Sequence, residues 1–329
     1  MRQHHRFLAT AACGGLFAFC QPAAAQSTLD AVKAQGFVQC GSVERPGLAK
    51  ADDKGQWSGL EVEMCRAIAV AVFGPTGRFA YHEYGSDKDF DAARQGTDQV
   101  SFVTFSEMAA QSLTDKLLPG PTVFLESHDL LVAADSPARG PADLSGKGIC
   151  FMNESPANES VDAWFEDRHI PIIRHGYQED GEMYDGYAVQ NCQAVAGEST
   201  TLAEAALDGG INHLRSRLLP EHLSIFPIVA ATPIKSDSQW AAIVAWTIDT
   251  LKNADAKESR YHANGLRAMP VDGAGLGLAP DWQMQVVKTV GSYSLAFQRS
   301  LGDRSPFDLP TGLNAAPAEG GSLFVAHKD

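Results

Sequence analysis

Six cysteines are the residues of this 329-residue chain whose type and spacing bear most directly on chemistry. Cys13 and Cys20 fall within the first 25 residues, while Cys40, Cys65, Cys150 and Cys192 lie beyond them. A zinc site would need closely spaced partners such as Cys-x-x-Cys or His-x-x-x-His, and none accompanies these four. No metal or other cofactor is expected. Acid-base catalysis would fall to Glu107, Glu198 or His175. No Ser/His/Asp set and no nucleophile elbow stands beside them, and a lone histidine is more often a surface or satisfied side chain. These residues argue for a protein that is not an enzyme.

The compartment decides what the cysteines do. Residues 1–25 have the three zones of a secretory signal: a basic start (Arg2, His4, His5, Arg6), an apolar run from Phe7 to Phe19, and small residues Ala23 to Ala25, with cleavage expected after Ala25. The apolar run, about 13 residues, is too short for a membrane anchor. Export places the chain in an oxidising compartment, where two disulfides are expected. Four cysteines allow three pairings, and their clustering favours Cys40–Cys65 and Cys150–Cys192. The net charge is −14, which disfavours nucleic acid and anionic membrane surfaces as partners.

The elements alternate. Leu60, Met64, Ile68 and Val72 recur every four residues and mark a helix from about Glu61 to Phe73, stopped by Gly74-Pro75. Apolar strands are expected at Phe37–Gly41, Arg78–Glu83 and Gln99–Thr104, with a helix at Lys88–Gln95 between the last two. Val123–Ala133 reads as a strand leading into the turn-rich Ser136–Pro141, where a first crossing between lobes is expected. A second αβ unit follows: strand Gly148–Met152, helix Pro156–Arg168, a strand near Pro171–His175 and strand Gln193–Ala196. Leu223–Ala231, containing Pro227, can carry the chain back to helices at Gln239–Lys252 and 280–301. The expected organisation is a signal peptide (1–25), lobe 1 (26–133), lobe 2 (134–227) and a return to lobe 1 with a C-terminal extension (228–329). This is an α/β chain of two similar lobes with two hinge crossings, and the cleft between them is the natural ligand site.

The stretch Gly59-Leu60-Glu61-Val62-Glu63-Met64-Cys65-Arg66-Ala67-Ile68-Ala69 resembles the signature of the family 3 extracellular solute-binding proteins of ABC importers. The resemblance extends to their general L-amino-acid-binding branch at Lys54-Gly55-Gln56-Trp57-Ser58-Gly59, Gln239-Trp240, Trp246-Thr247, Asp281-Trp282, Gly291-Ser292-Tyr293 and Gly312-Leu313-Asn314. It implies the bilobal periplasmic-binding-protein fold of type II, the same cysteine pairing, a monomer, and a receptor that closes on an amino acid or related small amine and presents it to an inner-membrane ABC permease. Within the signature, Leu60, Met64 and Ile68 belong to the core, and Glu61 and Glu63 are expected to cap and solvate the helix start.

The ligand groups implied by the resemblance are only partly present. The arginine that clamps a ligand carboxylate with a planar fork falls at or next to Ala110, in Met108-Ala109-Ala110-Gln111, and is missing. At the strand end, Ser101-Phe102-Val103-Thr104 puts an aromatic ring where a charge is usual. The second lobe's turn reads Asn153-Glu154-Ser155-Pro156, and Glu198 matches the acid that pairs with a ligand ammonium. The implied cleft set is Glu44, Arg45, Phe102, Thr104, Glu107, Asn153, Glu154, Ser155 and Glu198, acid-rich with one arginine. It suits a cationic or neutral ligand, with Glu198 as the ion-pair partner and Phe102 able to stack on it; alternatively Arg45 replaces the missing clamp. Trp57, Trp240, Trp246 and Trp282 stand where packing explains them. Lost clamp residues on an intact scaffold also suit a diverged, non-transporting sensor or receptor.

Overall fold

The computed structural model describes residues 27–85, 88–207, 211–254, 271–315 and 320–323. The leader, with Cys13, Cys20 and the expected cleavage after Ala25, lies outside the described residues. No helix among the described residues is long and apolar enough to cross a membrane.

The first half runs α1 (Thr28–Gln35), β1 (Val38–Ser42), a small hairpin of β2 (Lys50–Ala51) and β3 (Trp57–Ser58), α2 (Leu60–Phe73), β4 (Phe79–Glu83), α3 (Asp91–Gln95), β5 (Val100–Thr104), α4 (Phe105–Ala110) and β6 (Leu117–Leu118). The signature forms α2 because its four-residue repeat puts Leu60, Met64 and Ile68 on one fully buried face. Gly59 begins it at φ 127°, and a Cβ there would fall 2.2 Å from the Leu48 carbonyl oxygen, so this entry tolerates no side chain. β4, β1 and β5 pair in parallel.

The long β7 (Thr122–Ala133) then leads to β8 (Gly148–Met152), α5 (Pro156–Asp167), β9 (Ile173–Tyr177), α6 (Asp180–Ala188), β10 (Ala194–Glu198), α7 (Ser199–Ala205) and β11 (Ser216–Leu218). β12 (Ser224–Pro233) returns to α8 (Ser238–Asn253), α9 (Trp282–Val290) and α10 (Tyr293–Ser300). The principal sheet has the order β4-β1-β5-β12-β7-β10-β8-β9. β7 and β12 run antiparallel through its middle and connect the two halves, each of which has its own buried core. This is the bilobal α/β fold with two crossings. β7 changes partner at His128, which sits opposite both Ser224 of β12 and Glu198 of β10. The crossing is therefore inside the strand, ahead of the turn at Ser136–Pro141 where the sequence led us to expect it.

Cys40 is joined to Cys65 and Cys150 to Cys192, one disulfide in each half. Trp240 and Trp282 are fully buried, and the Trp240 indole donates to the Gln99 carbonyl oxygen at 2.9 Å. The helix expected over 280–301 is two helices, because Gly291, at φ 96°, turns the chain between α9 and α10. The disulfide Cys150–Cys192 closes a sequence separation of 42 residues. In the chain-entropy model, Cys150→Ser with Cys192→Ser should cost about 3–4 kcal/mol, read calorimetrically as a fall of several degrees in the unfolding midpoint relative to the oxidised protein.

Candidate functional site

The loop after β1 turns Arg45 inward, its backbone held by an isolated bridge to Ala49. Arg45 is only 3% exposed, which takes a guanidinium out of water and demands partners. Its Nη2 is ion-paired with Glu107 Oε1, and its Nη1 lies 3.8 Å from Glu61 Oε1. Glu107 is placed by a capping box: the Thr104 hydroxyl accepts from the Glu107 amide at 3.0 Å, and Glu107 Oε2 accepts from the Thr104 amide at 2.8 Å. The short α4 thus begins in one geometry, and the free oxygen of Glu107 goes to Arg45.

Glu61 corrects an expectation. It does not solvate the helix start; it is fully buried and accepts from the Tyr81 hydroxyl at 3.2 Å. Burial pushes its carboxyl up to about 7, against the opposing pull of Arg45, Ser42 and Tyr81. Among the described residues, Arg45 Nη1 and Glu61 Oε1 are buried atoms with no hydrogen-bond partner.

The other side of the site comes from β7 and the β10–α7 junction. Glu126, in the interior of β7, is fully buried; its two oxygens accept from the Ser199 and Thr200 hydroxyls, the latter at 2.7 Å. Burial, then the neighbouring charge of Glu198, pushes Glu126 up to about 7, while those hydroxyls and the Ser127 amide oppose the shift. Glu198 ends β10 half-buried; burial raises its carboxyl, Arg45 opposes this and Glu107 adds to it. Burial alone would lower the Arg45 guanidinium, but the fields of Glu107, Glu61, Glu198 and Glu126 outweigh it and hold it above its ordinary value. Glu107 and Glu61 are the acids ion-paired with this cation, and the charges of Glu198 and Glu126 also reach it.

Sequence reasoning named Arg45, Glu107 and Glu198 of this cluster and missed Glu61 and Glu126. Thr104 serves as the cap of α4, and Ser155 caps α5, accepting from the Asn158 amide at 3.2 Å. Asn153 is half-buried, with its amide bonded to the Tyr177 carbonyl oxygen at 2.8 Å. Glu154 is exposed in the left-handed region at φ 57°, and Glu44 is exposed. Phe102 departs from the expected cleft position: it is fully buried in the first lobe's core, its ring stacked parallel to Tyr81 at 6.4 Å. Its ring is taken up by the packing against Tyr81 and the α2 side of the core and is not available to a ligand. His175 lies on β9, the outermost strand of the second lobe.

No family model matches the chain. It is 28% identical over 346 residues, 98% of each chain, to the general L-amino acid-binding periplasmic protein AapJ of Rhizobium johnstonii. It is 26% identical over 331 residues, 96% of each, to the putative amino-acid ABC transporter-binding protein YhdW of Escherichia coli. A periplasmic binding protein of Brucella ovis, solved with glutathione bound, superposes with a TM-score of 0.69 at 26% identity, covering 90% of this chain and 97% of that one.

Because Glu61 and Glu126 bind protons more tightly folded than unfolded, the folded state holds more protons between the ordinary carboxyl range and pH 7, and stability falls as pH rises through that window. Glu126→Gln keeps both hydroxyl contacts possible and removes one ionisation. Urea unfolding from pH 4.5 to 7.5 should show a visibly shallower decline for this variant than for wild type.

Proposed function

The chain is a family 3 extracellular solute-binding protein of the ABC importers, and on that premise we propose that its cleft binds a small amine whose ammonium group pairs with Glu198. It is the periplasmic substrate-binding component of such an importer, acting by closure of two lobes over a ligand. The observation that carries the amine reading is one buried arginine ion-paired with Glu107 and Glu61, with the further acids Glu198 and Glu126 near enough for their charges to act on it. A bare carboxylate brought among these acids would lose several kcal/mol to desolvation and repulsion, most of the roughly 8 kcal/mol of a micromolar affinity. An ammonium group gains from the same field. The relatives' named ligands, L-amino acids and glutathione, share an α-ammonium group with this class.

In this reading Arg45, Thr104, Glu107, Asn153, Ser155 and Glu198 wall the cleft, Glu44 and Glu154 stand at its rim, and Phe102 supports it from behind. Lobe 1 comprises 26–133 and 228–329, lobe 2 comprises 134–227, and the two crossings are made by β7 and β12. Export follows cleavage after Ala25. The receptor is a monomer that meets an inner-membrane permease, without cofactor or turnover; its relatives are named as binding proteins. A second reading has one observation in its favour: Arg45 Nη1 is buried without a hydrogen-bond acceptor among the described residues, so this nitrogen could receive the carboxylate of an ordinary amino acid.

Thermal denaturation of the purified protein against amines and α-amino acids separates the two. A ligand at a hundred times its Kd adds about 2.7 kcal/mol, a shift of several degrees. Amines without a carboxylate should raise the midpoint, and Glu198→Gln should abolish the rise. A rise only with α-amino acids would make Arg45 the clamp instead.

A further inference from the structure

A cavity of about 780 Å³ lies beside the first turns of α2, apart from the carboxylate cluster. Its size is within the range of small-molecule sites, about 300–1,000 Å³. Glu61 turns toward Arg45, whereas Glu63, two residues on, lines the cavity. We propose that this cavity is a second small-molecule site, which takes an α-amino acid with an aromatic side chain as a zwitterion, and that its occupant favours the closed lobes.

The chemistry of the walls selects that class. Trp57, Phe79 and Phe307 offer three aromatic faces for the body of the ligand. Glu63 Oε2 is a buried oxygen without a hydrogen-bond donor among the described residues, suited to an ammonium group. Arg299 lies 3.3 Å and Arg66 4.0 Å from that same oxygen. The Arg299 guanidinium is also anchored on the Val290 carbonyl oxygen at 2.8 Å, while Arg66 is half-exposed and can turn its planar fork to a carboxylate. Acid and guanidinium therefore stand side by side, the pairing a zwitterion needs.

The walls come from both lobes. Lys50 of the β2–β3 hairpin and Glu204 of α7 both line the cavity and are joined across the lobes at 2.7 Å. Both side chains are substantially exposed, so the bridge is weak by itself; an occupant touching both lobes adds contacts that exist only when they are closed. The two sites also share a wall, since the Trp57 ring lies 4.9 Å from Tyr81, whose hydroxyl donates to Glu61.

Isothermal titration with L-phenylalanine tests this on wild type, Arg66→Gln and Glu198→Gln, with phenethylamine and phenylacetate as probes that each lack one charge. The expected result is a binding event that Glu198→Gln leaves in place, that Arg66→Gln weakens at least tenfold, and that, in Glu198→Gln, both single-charge probes reproduce at least tenfold more weakly. Arg66 is half-exposed, so its replacement leaves the core intact, and circular dichroism confirms the fold. Failure of the amine reading would show as amines that do not bind wild type, and leaves the phenylalanine binding retained by Glu198→Gln as the separate mark of the second site. No phenylalanine binding, binding that Arg66→Gln leaves unchanged, or phenethylamine binding to Glu198→Gln as tight as that of phenylalanine would each overturn the second site.

Discussion

Arg45 is buried, and a guanidinium cannot give up its charge to suit that position. Everything placed around it follows from this constraint. Glu107 supplies the direct partner, and the capping box fixes Glu107 by tying its other oxygen to the Thr104 amide. Glu61 supplies a second acid from the opposite side, held by Tyr81. Removing Glu107 would take the direct partner from a buried guanidinium, which costs several kcal/mol where breaking an exposed pair costs less than one. The signature helix, β5 and the start of α4 are therefore locked to one another by electrostatics as well as by packing.

The same field reaches across the molecule through β7. That strand carries four consecutive buried polar residues, Glu126, Ser127, His128 and Asp129, at the point where it passes from β12 to β10. Each has a partner there: Glu126 the hydroxyls of α7, the Ser127 amide the Glu126 carboxylate, His128 the hydroxyls of Ser160 and Ser224 at 2.8 and 2.9 Å, and Asp129 the His222 ring at 2.7 Å. An apolar strand would pack equally well in one arrangement. A polar strand at a hinge exchanges partners at lower cost, since hydroxyl and imidazole groups satisfy one another in more than one geometry.

Much of this was legible in the sequence. The four-residue repeat of α2, the one-per-lobe pairing of the cysteines and the bilobal order follow from periodicity and clustering, which local sequence records directly. Three features escaped for physical reasons. Gly291 lies inside an amphipathic stretch, and apolar spacing does not register a left-handed break. Phe102 lies two residues inside a correctly placed strand end, and its type alone does not say whether its ring packs in the core or faces the cleft. Glu61 and Glu126 were hidden because an acid near a helix start reads as solvated, and an acid within an apolar strand carries no motif. Their signal was nonetheless present: Glu-Ser-His-Asp inside the run Val123–Ala133 breaks every strand pattern, and such a break marks a functional position more often than a surface one.

The arrangement also says where the free energy of closure comes from. Glu61 and Glu107 belong to the first lobe, Glu198 to the second, and Glu126 to the strand between. Bringing the lobes together concentrates carboxylates around a single guanidinium, so closure without a ligand works against charge repulsion, relieved only by the protons that Glu61 and Glu126 hold near neutral pH. In the proposed reading, a cationic ligand entering between them removes that repulsion and is itself desolvated only when the lobes close. Its affinity for the closed state then exceeds that for the open state by the full strength of the field, and it is this difference, not the tightness of either contact alone, that a hinged receptor converts into a conformational signal.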